Sequence, residues 1–252
     1  MSDNPYGVEV IVLAAGRGER LRPQTDILPK PLLKVGDRTL LEWSLSGLQA
    51  AGFKSVWINV HHLPEAIPAF IGNGDRFGLQ INYSREDQLL DTGGALANIQ
   101  SIRDAANVLV LNADAFFADQ IPFDALIERQ QRSENCAATL LLKSHPEASK
   151  YGIIEADQNG QITTFIGNTV SAVAPTSVTK YIYTGCMVLG IAALSQLPPA
   201  GTICSLTRDL LVQSVKSGCT LNSIQYSGEW IDVGTPERLS EASKIVIKRA
   251  QR

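Results

Sequence analysis

The sequence predicts an α/β protein built on a doubly wound, mainly parallel sheet, and three features carry that reading. Short, almost wholly apolar runs at 8–13 and 108–111 have the composition of central parallel strands covered on both faces. Such runs alternate with stretches of helical period through the first half of the chain. Two glycines one residue apart, Gly16 and Gly18, close the first run, and ligands of such sheets gather at the carboxyl ends of strands.

In order, the strand at 8–13 leads through the glycine turn into a proline-bearing loop and a turn at Gly36-Asp37. A helix follows, because Thr39 and Glu42 have capping-box spacing, Leu41, Leu45 and Leu48 share one face, and Gly52 stands at its end. Residues 55–60 read as the second strand, ending at His61-His62, a pair we take as structural. A helix at 64–71 is weakened by Pro68. A third strand at 79–84, a helix at 93–102 and the strand at 108–111 complete the first half. In the second half, strands are expected at 137–143, 181–189 and 220–226, and at 151–156 paired with 161–166 across Asn159-Gly160, a strong hairpin signal. Helices are expected at 206–216 and from Pro236 to about 247. With no Pro/Ser-rich linker, 1–252 reads as one continuous domain: a first part at about 1–135, an inserted mixed-sheet subregion at about 136–228, and a closing helix at 236–250.

The 252 residues are 44% apolar and 19% charged, an ordinary globular composition with length for a buried core. A net charge of −3 argues against a general nucleic-acid or anionic-membrane binder, so any phosphate site is local. Met1-Ser2-Asp3-Asn4-Pro5 has no signal-peptide character, and the apolar runs are strand-sized, so no membrane span is expected. Cys136, Cys186, Cys204 and Cys219 share no metal or redox spacing and read as reduced thiols of a cytoplasmic protein.

The turn Gly16-Arg17-Gly18-Glu19-Arg20 admits three readings. It is a strand-to-helix turn needing glycine for geometry alone, a dinucleotide-binding turn, or a site for a nucleoside triphosphate. The dinucleotide fingerprint wants a third glycine where Arg20 stands, and no Gly-Lys-Ser/Thr follows at P-loop spacing. In the third reading, backbone N–H groups at 16–18 meet phosphate oxygens, while Arg20 and Lys30 neutralise charge on a leaving pyrophosphate. Asp114 follows the strand at 108–111, where a carboxylate either caps the next turn or holds a hard cation. Thr235 and Pro236 have N-cap and N1 character, which leaves Asp232 free.

Leu13-Ala14-Ala15-Gly16-Arg17-Gly18-Glu19-Arg20-Leu21-Arg22-Pro23 with Pro29-Lys30-Pro31 resembles the signature of the sugar-1-phosphate nucleotidyltransferases. Leu89-Leu90-Asp91-Thr92-Gly93-Gly94, Asn112-Ala113-Asp114 and Trp230-Ile231-Asp232-Val233-Gly234-Thr235 extend the likeness over nearly the whole chain. The resemblance implies a Rossmann-like fold with a mixed-sheet sugar-binding subregion, Mg²⁺ as cofactor, and a nucleoside triphosphate and a sugar 1-phosphate as substrates. It implies Ala14, Ala15, Gly16, Arg17, Gly18 and Asn112 around the nucleotide, with Gln88 and Gly93 reading the base. Arg20 and Lys30 become the catalytic cations, and Asp114 and Asp232 the metal ligands. Thr92, Gly152, Asn168 and Thr184 fall to the sugar-phosphate side. Asn168 stands where many members carry a lysine. The subgroup that uridylylates N-acetylmuramate 1-phosphate also lacks that lysine, and mannose-1-phosphate guanylyltransferases look similar too. We therefore expect UTP first and GTP second, with a non-catalytic nucleotide-sugar sensor as the rival from another class. The end at 252 also leads us to expect no carboxy-terminal β-helix of the bifunctional acetyltransferase kind.

Overall fold

A computed structural model describes residues 4–145, 148, 153–170 and 179–251. The chain runs β1 (Glu9–Leu13), α1 (Gln24–Ile27), β2 (Lys34–Val35), β3 (Arg38–Thr39), α2 (Leu40–Ala50), β4 (Ser55–Val60), α3 (Ala66–Ile71) and β5 (Gln80–Arg85). Then come α4 (Asp91–Ala97), α5 (Gln100–Arg103), β6 (Asn107–Asn112), β7 (Ala115–Phe117), α6 (Phe123–Gln131) and β8 (Cys136–Ser144). The rest is β9 (Ile154–Ala156), β10 (Ile162–Phe165), β11 (Asn168–Thr169), β12 (Thr179–Gly190), α7 (Ile191–Leu194), α8 (Leu211–Lys216), β13 (Thr220–Gln225), β14 (Trp230–Asp232) and α9 (Pro236–Ala250). These elements divide into two compact units, one from 4–89, 111–121 and 228–251, the other from 90–110 and 122–227.

The first unit is built on β1, β4 and β5, all parallel, with Leu13 opposite Asn59 and Val60 opposite Arg85. Val10, Ile11 and Val12 are buried, as a strand covered on both faces requires. The capping box of α2 forms as its spacing predicts: the Thr39 hydroxyl accepts from the Glu42 N–H at 3.1 Å, and the Thr39 N–H donates to Glu42 Oε2 at 2.8 Å. Thr39→Ala is expected to cost about 1 kcal/mol, hence about 2–4 °C of Tm, while Thr39→Ser keeps most of it. Thermal melts of the two variants check this. Pro68 does not break α3, because as its third residue it has no intrahelical acceptor to lose.

A second cluster in this unit gathers Val35, Leu40, Phe116, Ile231, Val233 and Ala242. It joins the β2–β3 hairpin and α9 to an antiparallel pair, β7 and β14, in which Asp232 lies opposite Ala115. Arg249 of α9 forks onto both oxygens of Asp119 at 2.9 Å and onto Glu229 at 2.8 Å, so the helix is tied to the segments flanking β7 and β14.

In the second unit β12 pairs antiparallel with β8 and β9, β8 runs parallel to β13, and β9, β10 and β11 form an antiparallel meander. This is the mixed sheet expected there. The 157–160 turn closes with the Gly160 N–H on the Asp157 carbonyl, and Gly160 has φ of 75°. Two helical readings change. The stretch 93–102 is two helices, because the chain turns extended at buried Ile99. The first residues of 206–216 form a π-turn, Leu206–Leu210. All four cysteines are free and buried, and no helix among the described residues is long and apolar enough to cross a membrane.

Candidate active site

The first unit brings the glycine turn, both cations and both carboxylates together. At the carboxyl end of β1, the Leu13 carbonyl accepts the Ala113 N–H at 3.0 Å, which sets the segment after β6 beside the turn. Gly18 has φ of 63°, and a Cβ there would lie 2.9 Å from Thr25 Cγ2 and 3.1 Å from Lys30 Cβ. Conformation and space both demand glycine at 18. Gly16 differs: it is exposed, its φ is not positive, and a Cβ would meet nothing within 4 Å. Neither a left-handed φ nor close packing accounts for Gly16, and the backbone is open on that side. Among the described residues, the N–H groups of Gly16, Arg17 and Gly18 make no hydrogen bond. Arg17 and Arg20 are exposed beside them.

Lys30, only 8% exposed, reaches from beneath Gly18 to Asp114 Oδ2 at 2.7 Å. The Val233 N–H donates to the Asp114 carbonyl at 3.0 Å, so Asp114 and Asp232 are carried by adjoining strand ends. Burial, then the neighbouring Asp114 charge, pushes the Asp232 carboxyl above the usual carboxylate range, against the opposing pull of Lys30, Arg20 and Arg238. Thr235 caps α9 through the Arg238 N–H and leaves Asp232 uninvolved, so cap and carboxylate coexist. The two carboxylates fit Mg²⁺, a hard cation commonly held by one or two carboxylates with phosphate oxygens and water. Among the described residues no cluster of three such side chains could hold a metal unaided.

Sequence reasoning missed the brace behind the turn. Asn59 Oδ1 accepts the Ala14 N–H at 2.7 Å, and Asn59 Nδ2 donates to Glu86 Oε1 at 2.7 Å, with both side chains buried. A polar residue inside the apolar run of β4 was the available signal, since a buried amide needs partners. Ala14 and Ala15 are themselves buried, Asn112 is half-buried at the end of β6, and Gln88 is exposed. His61 and His62 act structurally, their ring nitrogens meeting the carbonyls of Glu86 at 3.0 Å and Thr25 at 2.7 Å.

The remaining residues lie in the second unit. The N–H groups of Gly93 and Gly94 both donate to the Cys204 carbonyl, at 2.7 and 3.0 Å, and a Cβ on Gly94 would lie 2.3 Å from the Thr202 carbonyl oxygen. Those glycines let the 202–206 loop pack closely. The Thr92 hydroxyl accepts the Leu206 N–H at 2.8 Å, beside Asp91, whose carboxylate pairs with Arg208 at 2.8 Å. Asn168 is exposed but turns its amide back on the carbonyls of Phe165 and Ile166, stabilising a two-residue hairpin in which Ile166 and Gly167 both have positive φ. Thr184 is a correction. It has no exposed surface and donates to the Leu141 carbonyl at 2.8 Å, so it belongs to the β12–β8 core rather than to a sugar phosphate. Gly152 lies outside the described residues.

A family model described as Nucleotidyl transferase matches residues 9–249, and the chain belongs to that family. It is 32% identical to the N-acetylmuramate alpha-1-phosphate uridylyltransferase of Neisseria meningitidis serogroup B, over 94% of this chain and 98% of that one. It is 29% identical to a UTP–glucose-1-phosphate uridylyltransferase of Synechocystis sp., and 28% identical to a mannose-1-phosphate guanylyltransferase of Mycobacterium tuberculosis, each over 96% of this chain. The chain spans 64% and 66% of the length of those two relatives. The crystal structure of HddC from Yersinia pseudotuberculosis shares the fold, with a TM-score of 0.74 at 19% identity over 94% of this chain and 98% of that one.

Proposed function

We propose that this protein transfers a nucleotidyl group from a nucleoside triphosphate, UTP by preference, to a sugar 1-phosphate and releases pyrophosphate. The observation that carries the reading is the convergence, in one unit, of the open turn at 16–18, Lys30 on Asp114, and Asp232 on the adjoining strand. The sugar-phosphate oxygen attacks the α-phosphorus in line, and the bond to pyrophosphate breaks. That oxygen is already ionised near neutral pH, so no side chain has to remove a proton. The chain's work is to position both substrates and to neutralise charge growing on the leaving group. Backbone N–H groups at 16–18, Arg20 and Lys30 serve the triphosphate. Asp114 and Asp232 would hold Mg²⁺, which when bound supplies positive charge to phosphate oxygens.

UTP is favoured by the N-acetylmuramate alpha-1-phosphate uridylyltransferase, which matches at 32% identity over 98% of its length, while several mannose-1-phosphate guanylyltransferases among the relatives keep GTP as the second base. Pyrophosphate release, measured over four nucleoside triphosphates and a panel of sugar 1-phosphates with Mg²⁺, tests both. Release with UTP and one sugar 1-phosphate is expected, and a GTP-only response would select the second base. Nucleotide binding without release across the panel would overturn transfer in favour of a sensor.

A further inference from the structure

Gly234 stands two residues after Asp232, where nothing in the backbone calls for glycine. Its φ lies outside the left-handed region, so an L side chain is conformationally allowed. The residue is buried and firmly held. Its N–H donates to the Asp232 carbonyl at 2.9 Å, Val233 before it is bonded to Asp114, and Thr235 after it caps α9. The three atoms nearest to a Cβ at 234 all belong to the Arg20 guanidinium, Nη2 at 2.7 Å, Cζ at 3.1 Å and Nη1 at 3.2 Å. Arg20 in turn makes no hydrogen bond or ion pair among the described residues, so its head group is located by this packing. Because the Gly234 N–H is bonded to the Asp232 carbonyl, a guanidinium packed on Gly234 stands two residues along the chain from the second carboxylate.

We propose that Gly234 is a positioning residue whose bare Cα seats the Arg20 guanidinium beside Asp232, where it meets the polyphosphate. The inference rests on reading Arg20 as a triphosphate cation. A side chain at 234 evicts the guanidinium from a fixed floor, and Arg20 then loses its orientation while keeping its charge.

Calorimetric binding of inorganic tripolyphosphate with Mg²⁺ tests this without nucleotide or sugar. Wild type, Gly234→Ala, Arg20→Ala and the double variant form a cycle. Each single variant is expected to bind about tenfold more weakly, the worth of one charge-assisted hydrogen bond. The double variant should bind no more weakly than Arg20→Ala, because with the guanidinium gone there is nothing to evict. Losses that multiply in the double variant, a Gly234→Ala protein that binds like wild type, or a wild type that does not bind tripolyphosphate would each overturn the proposal. If Gly234→Ala fails to fold, adding Arg20→Ala is expected to restore folding, since the closest overlaps are all with Arg20, and failure to restore it also overturns the proposal. A cycle that behaves as expected alongside a silent pyrophosphate-release panel would sink the transfer reading and leave the seat intact.

Discussion

Asp232→Asn is expected to cut nucleotidyl transfer about 10²–10³-fold or more while raising the Tm of the metal-free protein. The first effect is what losing one charge-stabilising group at a phosphoryl site costs. The second follows from where the carboxylate sits. Asp232 is largely removed from water at the end of β14, next to Asp114, and both burial and that neighbour raise its pKa. The folded protein therefore holds the Asp232 proton more tightly than the unfolded chain does. Stability from this group is fully present below the unfolded carboxylate range and is lost as pH rises through the raised folded value. At neutral pH the ionised side chain opposes folding, and an isosteric amide removes the opposition. Melts in EDTA should show Asp232→Asn above wild type at about pH 7.5, with the gap closing toward pH 4. Added Mg²⁺ should narrow the gap from the other side by stabilising wild type. An Asp232→Asn variant that melts below wild type in EDTA would refute the argument, and one that retains transfer would remove Asp232 from the site.

That trade of stability for charge also explains which parts of the molecule the sequence disclosed. The capping box at Thr39 and Glu42 is a local device and forms as its spacing predicts. The strand Ser55–Val60 and the turn at Gly160 are equally local and equally legible. Helix α6 escapes a sequence reading because its buried stripe of Phe123, Leu126 and Ile127 continues into Gln130, a polar residue, and because Pro122 stands at its N-cap position. Gln130 is satisfied only in three dimensions, by the Cys136 carbonyl and the Thr139 hydroxyl, both at 2.8 Å. The site divides the same way. Gly16, Gly18, Arg20 and Lys30 share one short stretch, and the family likeness carries Asp114 and Asp232 to their places. Asn59, Glu86 and Gly234 matter through partners 45, 27 and many more residues away, and spacing cannot announce such pairings. Thr184 misleads for the opposite reason. A hydroxyl on a strand reads alike whether it faces a ligand or a neighbouring carbonyl, and here it donates to the Leu141 carbonyl where the β12–β8 pairing shifts register.

Lys30→Met should lower transfer by about 10²–10³-fold, the cost of one charge-stabilising group, and its effects on the ligand-free protein separate two roles for one ammonium group. In the free protein Lys30 is the counter-ion of the carboxylate pair, nearly enclosed and 2.7 Å from Asp114 Oδ2. Its partner is about one third exposed, so losing the pair costs less than the 3–5 kcal/mol of a fully buried one and more than an exposed pair. About 1–2 kcal/mol, or roughly 2–8 °C of Tm, is the expected loss. Removing that ammonium also frees an Asp114 oxygen for a metal cation. Mn²⁺ binding, followed by electron paramagnetic resonance without nucleotide, should therefore tighten in Lys30→Met even as transfer collapses. Lys30→Arg distinguishes charge from fit. It keeps the positive charge but puts a wider planar fork in place of a compact ammonium in a nearly enclosed space, so transfer is expected to stay well below wild type. Transfer close to wild type in Lys30→Arg would mean that charge alone matters here. Weaker Mn²⁺ binding in Lys30→Met would mean that the ammonium helps to assemble the metal site, and that it does not compete for Asp114.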